Sequence, residues 1–507
     1  MSWVTIRKDQ ILRATSIEYD ILIVGGGATG LGIAVDAASR GLKVLLLESN
    51  DYAKGTSSRS TKLVHGGVRY LAQGNIKLVR EALKERSILL QNAPHVTKTQ
   101  SFIVPVYSLW QKFFYGTGLK IYDWMSGQWR IGTTKLLSYN ETIEALPWIN
   151  TKGLVGGIEY FDGQFDDSRL CMDLMKTAEI HGAVLLNYAR VERLIKKEQK
   201  VVGVEVYDVQ LKETFCCSAK VVVNATGVFV DHLLQQDTVD QAPLVAPSQG
   251  IHIVVDKKYF PGNHALMIPK TDDGRVLFVV PWLDKAVIGT TDTPVQSAQA
   301  EPIAFQQEID FVLQHVSRYS KSPISKAEVL SVFAGLRPLV KSSNSGGPTS
   351  LLSRDHTIMV NPSGLITITG GKWTTYRKMA KDAVENALFV AKLGKKPCVT
   401  EHLKIHNKQQ DQLYHALLQT EKGSEKLHDD YPYVWADVDY AVLHEQATTI
   451  EDVLARRTRF LFLDARVTWQ LIEPTGQRMQ LILDWSEEKL QEEINHMKEL
   501  VSCYIIQ

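Results

Sequence analysis

Three glycines and one glutamate near the start of the chain have the spacing of a nucleotide-binding turn. Gly25, Gly27 and Gly30 form G-x-G-x-x-G in "DILIVGGGATGLGIAVDAASRGLKVLLLES" (20–49), and Glu48 ends the second apolar run. The first glycine permits a tight turn, the second lets the backbone approach a pyrophosphate, and the third allows close helix packing. A glutamate at this place accepts hydrogen bonds from ribose hydroxyls. The motif therefore predicts a dinucleotide site and leaves FAD and NAD both open.

The polar loop "GTSSRSTKLVHGGVRYL" (55–71) favours FAD. An NAD domain normally continues as a regular sheet at this point. Thr56, Ser57 and Ser58 instead offer hydroxyl and backbone donors that suit an extended dinucleotide. The His65–Gly67 backbone could lie flat against a ring.

Two later strand ends repeat the pattern of an apolar run followed by glycine. "NATG" ends at Gly227, and "TITGGKWTTYRK" contains Gly371 before a helix whose positive end could stabilise negative charge on a reduced flavin. Three glycine-rich strand ends suit a long cofactor, so we predict FAD. The predicted FAD-binding residues are Gly25, Gly26, Gly27, Gly30, Glu48, Thr56, Ser57, Ser58, Lys62, His65, Gly66, Gly227 and Gly371.

The elements that would position these residues follow from hydrophobic periodicity. A strand over 21–24, a helix over 28–40 and a strand over 43–48 form a β-α-β unit, which predicts a parallel sheet. The runs at 220–227 and 364–388 are expected to share that sheet. An amphipathic helix is expected over about 75–95.

Three other β-rich stretches, 250–256, 274–292 and 331–340, indicate a separate antiparallel sheet. The β signal fades after about residue 395, where helical patterns follow and Thr449 and Asp452 form a capping pattern.

The fold class is thus α/β plus α: a Rossmann-like FAD-binding domain, an inserted antiparallel β-rich substrate domain and a small helical C-terminal domain. We assign 1–90, 150–235 and 350–392 to a discontinuous FAD-binding domain, 91–149 and 236–349 to the substrate or cap domain, and 393–507 to the C-terminal domain.

Composition and charge narrow the possible partners. The 507 residues include 57 basic and 56 acidic side chains, so no global field attracts nucleic acid. Five cysteines without a C-x-x-C pair indicate neither a disulfide framework nor a zinc or other metal site. No signal-peptide pattern and no membrane-spanning run is evident, which predicts a protein of the reducing cytoplasm.

Several of these motifs together resemble the respiratory, FAD-dependent glycerol-3-phosphate dehydrogenase family, within the glycine-oxidase-like flavoprotein fold. The resemblance covers most of the chain. It rests on 23–48, "TSSRSTKLVHGGVRYL", "YFDGQFDDSRL", "VVNATG", "IGTTD", "GLRPL", "GGKWTTYRK" and "YAVLHEQATTIEDVLARRTR". It implies oxidation of sn-glycerol 3-phosphate to dihydroxyacetone phosphate by hydride transfer to flavin N5.

The resemblance also assigns a substrate pocket. It places Arg69 and Arg337 there, where guanidinium groups could bind phosphate oxygens bidentately. Tyr70 could add a hydroxyl donor, and Lys372 could hold the substrate oxygen or the flavin.

His65 is the candidate base, or a residue that hydrogen-bonds the flavin. The predicted catalytic residues are thus His65, Arg337 and Lys372. His252 is a second candidate base or a core histidine. Thr290, Thr291 and Asp292 either shape the pocket or cap a turn.

The family's usual electron acceptor is a membrane quinone, with oxygen used by some relatives. The aromatic-rich stretch 109–125 suits the headgroup boundary and predicts peripheral contact with the inner face of the cytoplasmic membrane. Gly116 and Gly118 argue against one continuous helix there. A homodimer is possible.

Three alternatives remain open at this point. One is an amino-acid or amine oxidase on the same fold, which would need a single carboxylate-binding arginine. The second is a glycerol-3-phosphate oxidase that uses oxygen. The third is a flavin-dependent redox regulator that reads DNA through "ARRTR" (455–459), although the shortness of that run and the near-neutral chain favour a charged helical surface.

Overall fold

A parallel sheet carries the glycine turn at its centre. The computed structural model describes residues 3–68, 75–341 and 356–506, so Arg69 and Tyr70 lie outside the described residues. Within those ranges six strands form this sheet, in the spatial order His356–Val360, Ile366–Gly370, Val222–Asn224, Ile21–Val24, Val44–Leu47 and Val184–Leu186. All neighbours pair in parallel except the first two. The three glycine-rich strand ends therefore share one sheet, as predicted.

Both faces of this sheet are covered, which explains why its strands read as unbroken apolar runs. Helices Ala28–Ser39, Asp167–Ile180 and Tyr376–Val390 pack on one face. The other face packs against a three-stranded antiparallel sheet of the described chain and against two helices. These elements are Ala189–Lys197, Lys200–Asp208, Glu213–Ser218, Trp3–Thr15 and Val230–Asp237.

The second large sheet has ten strands in the described part of the chain and is mainly antiparallel. Eight run in the order Thr293–Pro294, Val245–Asp256, Lys285–Gly289, Leu277–Trp282, Ala265–Ile268, Thr97–Val106, Gly156–Phe165 and Leu63–Val64. Val329–Val340 pairs with Val245–Asp256, and Lys135–Leu137 pairs with Gly156–Phe165. One pair, Ala265–Ile268 with Thr97–Val106, is parallel.

This sheet differs from the predicted domain boundaries in one respect. Strands Leu63–Val64 and Gly156–Phe165 lie within the ranges assigned to the FAD-binding domain, yet they hydrogen-bond into the second sheet. Their side-chain patterns fit either sheet, and the choice depends on partners distant in sequence. Three helices lie beside the second sheet: Ile76–Asn92, Tyr139–Ala145 and Gln306–Tyr319.

One continuous helix, Leu109–Ser126, contains both Gly116 and Gly118, so the prediction of an interrupted helix is wrong. Ser108 caps its start by accepting a hydrogen bond from the Gln111 amide at 3.1 Å. A Cβ at Gly116 would lie 2.8 Å from the Leu136 side chain, so the glycine permits close packing. The cost of an interior glycine, about 1 kcal/mol, is therefore offset by contact.

The C-terminal unit is helical, as predicted. Its helices are Gln412–Leu418, Trp435–His444, Phe460–Leu463, Ala465–Leu483 and Glu487–Ser502, with a π-helical turn over Asp452–Arg457. The predicted capping pattern is present, because the Asp452 amide donates to Thr449 Oγ1 and the Thr449 amide to Asp452 Oδ2. Within the three described ranges, no helix combines the length and the apolar character required to cross a bilayer.

Candidate active site

Three neighbouring cavities lie where the two large sheets meet. The glycine cavity, about 590 Å³, is lined by the glycine turn and by residues such as Glu48, Gly227 and Gly371. The middle cavity, about 220 Å³, shares Thr56 and Lys372 with it. The apolar cavity, about 710 Å³, shares wall residues with the middle cavity in turn. The shared wall residues therefore place the middle cavity between the glycine cavity and the apolar cavity.

The glycine turn has the geometry that its spacing predicts. Gly25 has φ +111°, and a Cβ there would lie 2.6 Å from the Ala225 carbonyl oxygen. A Cβ at Gly30 would lie 1.8 Å from the Gly25 carbonyl oxygen. Gly27 lines the cavity, and the adjacent Ala28 amide donates to Ser57 Oγ at 2.9 Å. Side chains are thus excluded at Gly25 and Gly30 by neighbouring backbone, as a tight turn and close helix packing require.

Glu48 lines the glycine cavity and also holds the turn. Its Oε2 accepts from the Gly26 amide at 2.6 Å, and its Oε1 accepts from the Asn50 amide at 2.9 Å. Burial raises the pKa of Glu48, while those amides oppose the shift. Two of the predicted FAD-binding residues, Gly26 and Gly30, shape the turn and are not among the cavity-lining residues.

The polar loop contributes Thr56 and Ser57 to the cavity walls, but Ser58 and Lys62 point elsewhere. The Lys62 ammonium is buried and donates to Asp167 Oδ2 at 2.7 Å and to the Ser58 carbonyl at 2.8 Å. The structure therefore places Lys62 outside the cavity walls, which differs from the predicted FAD-binding role. Its partner, Asp167, is a buried carboxylate distant in sequence, so no local pattern predicts the pair.

His65 lines both the middle and the apolar cavity. Its amide donates to Thr374 Oγ1 at 3.1 Å, so the loop is joined to the turn after Gly371. The next amide, of Gly66, donates to Tyr122 Oη at 2.9 Å and is buried away from the cavities. A Cβ at Gly66 would lie 2.4 Å from that oxygen, so the glycine serves close packing rather than lining.

His252 lies in the wall of the middle cavity, beside Thr61 of the same loop. Its Nε2 is 2.9 Å from Thr61 Oγ1, and its ring stacks on Phe333 at 5.0 Å. Burial and the nearby charges of Lys62 and Arg337 hold the pKa of His252 well below 6.5. These surroundings therefore favour the neutral form of the His252 ring.

Arg337 stands at the junction of the middle and apolar cavities. Its Nη2 donates to Thr290 Oγ1 at 3.0 Å and to the Thr291 carbonyl at 2.9 Å, and its Nη1 lies 3.4 Å from Asp292 Oδ1. Its side chain is 24% exposed. Thr290, Thr291 and Asp292 thus orient the guanidinium and also line the apolar cavity.

Gly371 and Lys372 line both the glycine cavity and the middle cavity. Gly371 has φ +72°, and a Cβ there would lie 2.4 Å from Met379 Sδ, so only glycine fits. The Trp373 indole nitrogen donates to the Ser57 carbonyl at 2.8 Å. This turn therefore joins two of the predicted cofactor segments.

A buried hydrogen-bond network that the sequence did not predict lies beside the apolar cavity. Asp162 accepts from Arg86 Nη1 at 2.7 Å and from the Tyr122 hydroxyl at 2.9 Å, and Tyr122 holds the Gly66 amide. Asp162 lies in the quoted run "YFDGQFDDSRL", but its partners are distant in sequence. The spacing of Asp162 and its partners along the sequence therefore did not predict the network.

Profiles of two known families match the chain. The FAD dependent oxidoreductase family matches residues 20–377, and the C-terminal domain of alpha-glycerophosphate oxidase matches residues 366–490. The fold and the glycine turn thus define an FAD-dependent oxidoreductase.

Relatives narrow the class. The mitochondrial glycerol-3-phosphate dehydrogenase of Rattus norvegicus is 38% identical over 94% of this chain and 72% of its own length. The Saccharomyces cerevisiae enzyme of the same name is 34% identical over 98% and 91%, respectively. The crystal structure of a Bacillus halodurans glycerol-3-phosphate dehydrogenase complexed with FAD has a TM-score of 0.80 and 30% identity, covering 99% of this chain and 98% of that chain. The chain belongs to the FAD-dependent glycerol-3-phosphate dehydrogenase family.

The residues present fit FAD, which is the cofactor. The glycine cavity is bounded by three strand ends that have no side chain at Gly25, Gly227 and Gly371, so a pyrophosphate can approach the backbone. The middle cavity continues from it between Lys372 and His252 and can take a ring system.

Proposed function

We propose that this chain oxidises sn-glycerol 3-phosphate to dihydroxyacetone phosphate, with hydride transfer to flavin N5. Bound FAD would supply the hydride acceptor. The observation that carries the proposal is Arg337, a guanidinium fixed by Thr290, Thr291 and Asp292 where the middle cavity opens into the apolar cavity. The names of the relatives support the same substrate.

In this proposal Arg337 binds the substrate phosphate, and Arg69 and Tyr70 assist it. A guanidinium can donate two parallel hydrogen bonds to phosphate oxygens. Lys372, in the wall of the middle cavity, orients the substrate oxygen or the flavin. A single arginine would instead suit the carboxylate of an amino acid. A requirement for Arg69 in substrate binding therefore distinguishes the glycerol-3-phosphate enzyme from the amino-acid oxidase.

We assign proton removal from the C2 hydroxyl to the His65 imidazole, because His65 borders both cavities where the substrate would lie. His252 is the other histidine near the middle cavity. Its depressed pKa makes it a weaker proton acceptor. Its hydrogen bond to Thr61 supports a role in shaping the wall.

We further propose that electrons leave to a membrane quinone. The apolar cavity is much larger than a three-carbon phosphate needs, and its walls include Phe102, Phe113, Phe114, Tyr160 and Phe278. Such walls suit an aromatic head group. Helix Leu109–Ser126 forms one wall and carries an exposed apolar stripe that suits peripheral contact with the cytoplasmic face of a membrane.

An anaerobic titration tests the reaction. The purified yellow protein should bleach on addition of glycerol 3-phosphate, and menadione should restore the colour. Retention of colour by folded, flavin-loaded protein would reject the substrate, and bleaching by an amino acid would favour the oxidase alternative. Rapid recolouring in air would indicate oxygen as acceptor.

A further inference from the structure

The FAD-binding loop 48–58 has two faces. One face, with Glu48 and the run 53–57, lines the glycine cavity. The other face, with Asp51, Tyr52 and Ser58, is buried. The loop is therefore held from behind by whatever contacts this second face.

Two arginines of the C-terminal unit hold Asp51. Arg456 Nε and Arg457 Nη1 both donate to Asp51 Oδ2, and Arg457 Nη2 donates to Asp51 Oδ1 at 2.9 Å. Burial favours the protonated acid, but the charges of Arg457 and Arg456 outweigh it and keep the pKa of Asp51 low. Asp51 is therefore an ionised, fully buried anchor. Arg456 in turn is held by Glu451 at 2.5 Å and Asp452 at 2.7 Å.

Further contacts join the two segments at either side of Asp51. Arg459 Nη2 donates to the Ser58 carbonyl at 2.9 Å, directly after Ser57 of the cavity wall. Lys54 Nζ, on the cavity side, donates to Glu451 Oε1 at 2.5 Å. Arg459 has φ +62°, a conformation that costs a non-glycine residue about 1 kcal/mol or more and persists only where the surroundings fix it.

We propose that the C-terminal unit positions the FAD-binding loop, with Arg456 and Arg457 acting on Asp51 and Arg459 acting on the Ser58 carbonyl. These arginines are positioning residues, because they contact the loop and not the cavity. Groups that orient a binding residue from behind typically change ligand affinity strongly when they are removed. The inference rests on FAD as cofactor and is independent of the proposed substrate.

The test compares release of FAD from holoprotein variants. Arg457→Gln removes two of the three donors to Asp51 and leaves Arg456 Nε. Arg478→Gln is the matched control, because Arg478 pairs with Asp439 at 2.5 Å within the same unit, away from the loop. After dilution, flavin fluorescence reports release. We expect about 10-fold faster release and an altered visible circular dichroism of the bound flavin in Arg457→Gln, with neither change in Arg478→Gln.

Arg457→Lys completes the test if the glutamine variant does not fold. Lysine keeps one donor near Asp51, so release should fall between those of the wild type and Arg457→Gln, or simply exceed the wild-type rate when the glutamine variant gives no holoprotein. The proposal is overturned if Arg457→Lys and any foldable Arg457→Gln release FAD as slowly as the wild type. It is also overturned if Arg478→Gln accelerates release equally, because a general loosening would then explain the effect.

Discussion

Arg337 is oriented by neighbours that leave part of its guanidinium at the cavity junction. A charge-assisted hydrogen bond contributes about 1.5–3 kcal/mol, so Arg337→Ala should raise KM for glycerol 3-phosphate about 10–150-fold. Steady-state kinetics measure this. Arg318→Ala, which removes a surface pair with Asp272, is the control and should leave KM unchanged. An unchanged KM in Arg337→Ala would reject its phosphate role, and Arg69→Ala tests in the same way whether Arg69 assists in binding the phosphate.

A second prediction at the scale of single residues concerns His65 and His252. If His65 accepts the proton, His65→Asn should slow flavin reduction by about 100-fold or more. His252→Asn is the control and should slow flavin reduction by less than about 10-fold, because His252 hydrogen-bonds Thr61 in the cavity wall and does not accept the proton. Stopped-flow reduction measures both rates, and an equal loss in the two variants contradicts the assignment.

At the scale of elements, helix Leu109–Ser126 presents Trp110, Phe113 and Trp124 at exposures of 67%, 73% and 77%. Burying a large apolar side chain contributes about 1.5–3 kcal/mol, so the double variant Trp110→Ser/Trp124→Ser should bind lipid vesicles at least about 100-fold more weakly. Co-sedimentation measures the binding. Phe389→Ser removes another exposed aromatic side chain, on helix Tyr376–Val390, and should have no effect. Equal vesicle binding by the double variant would reject this helix as the membrane contact.

Elements defined by local pattern were predictable, and those defined by distant partners were not. The strand over 21–24 and the capping pair Thr449 and Asp452 follow from adjacent residues, and both are present. Helix Leu109–Ser126 accommodates Gly116 in close packing against Leu136, a contact outside the helix that its local pattern does not include.

The same distinction applies to the site. The cavity-lining glycines follow from their spacing. The arginines of "ARRTR" looked like a charged helical surface or a DNA contact, but Arg456, Arg457 and Arg459 are buried. Their partners Asp51 and Asp167 lie hundreds of residues earlier, so their burial could not be inferred. The redox-regulator alternative therefore loses the basic surface on which it depended.

At the scale of the whole molecule, Asp173 joins separate units. It accepts from Arg169 Nε at 3.0 Å and from His95 Nε2 at 3.1 Å, while Arg169 also reaches Glu445 of the C-terminal unit at 2.5 Å. Asp173→Asn should lower the free energy of unfolding at pH 7 by about 1.5–3 kcal/mol, because Arg169 keeps Glu445 but loses its charged hydrogen bond to a buried carboxylate. Urea denaturation measures the difference.

The pH dependence of that difference has a defined sign. Burial would raise the pKa of Asp173, but Arg169, His406 and His95 lower it below 3.8. The ion pair therefore stabilises fully above the unfolded value and is lost as pH falls below about 3.8. The difference between wild type and variant should persist at pH 5 and shrink at pH 3. Asp272→Asn at the surface should change stability by less than about 1 kcal/mol, and an equal loss there would contradict the role assigned to burial.

The interleaving of the two large sheets has a consequence for biosynthesis. The walls of the glycine cavity come from chain positions as far apart as Val24 and Met379, and Arg456 and Arg457 follow later still. A ribosome releases the N-terminal β-α-β unit long before its neighbouring strands exist. The nascent glycine turn therefore lacks a complete binding site until most of the chain has been made. Binding of the vitamin-derived cofactor is thus a late event in the synthesis and folding of each polypeptide.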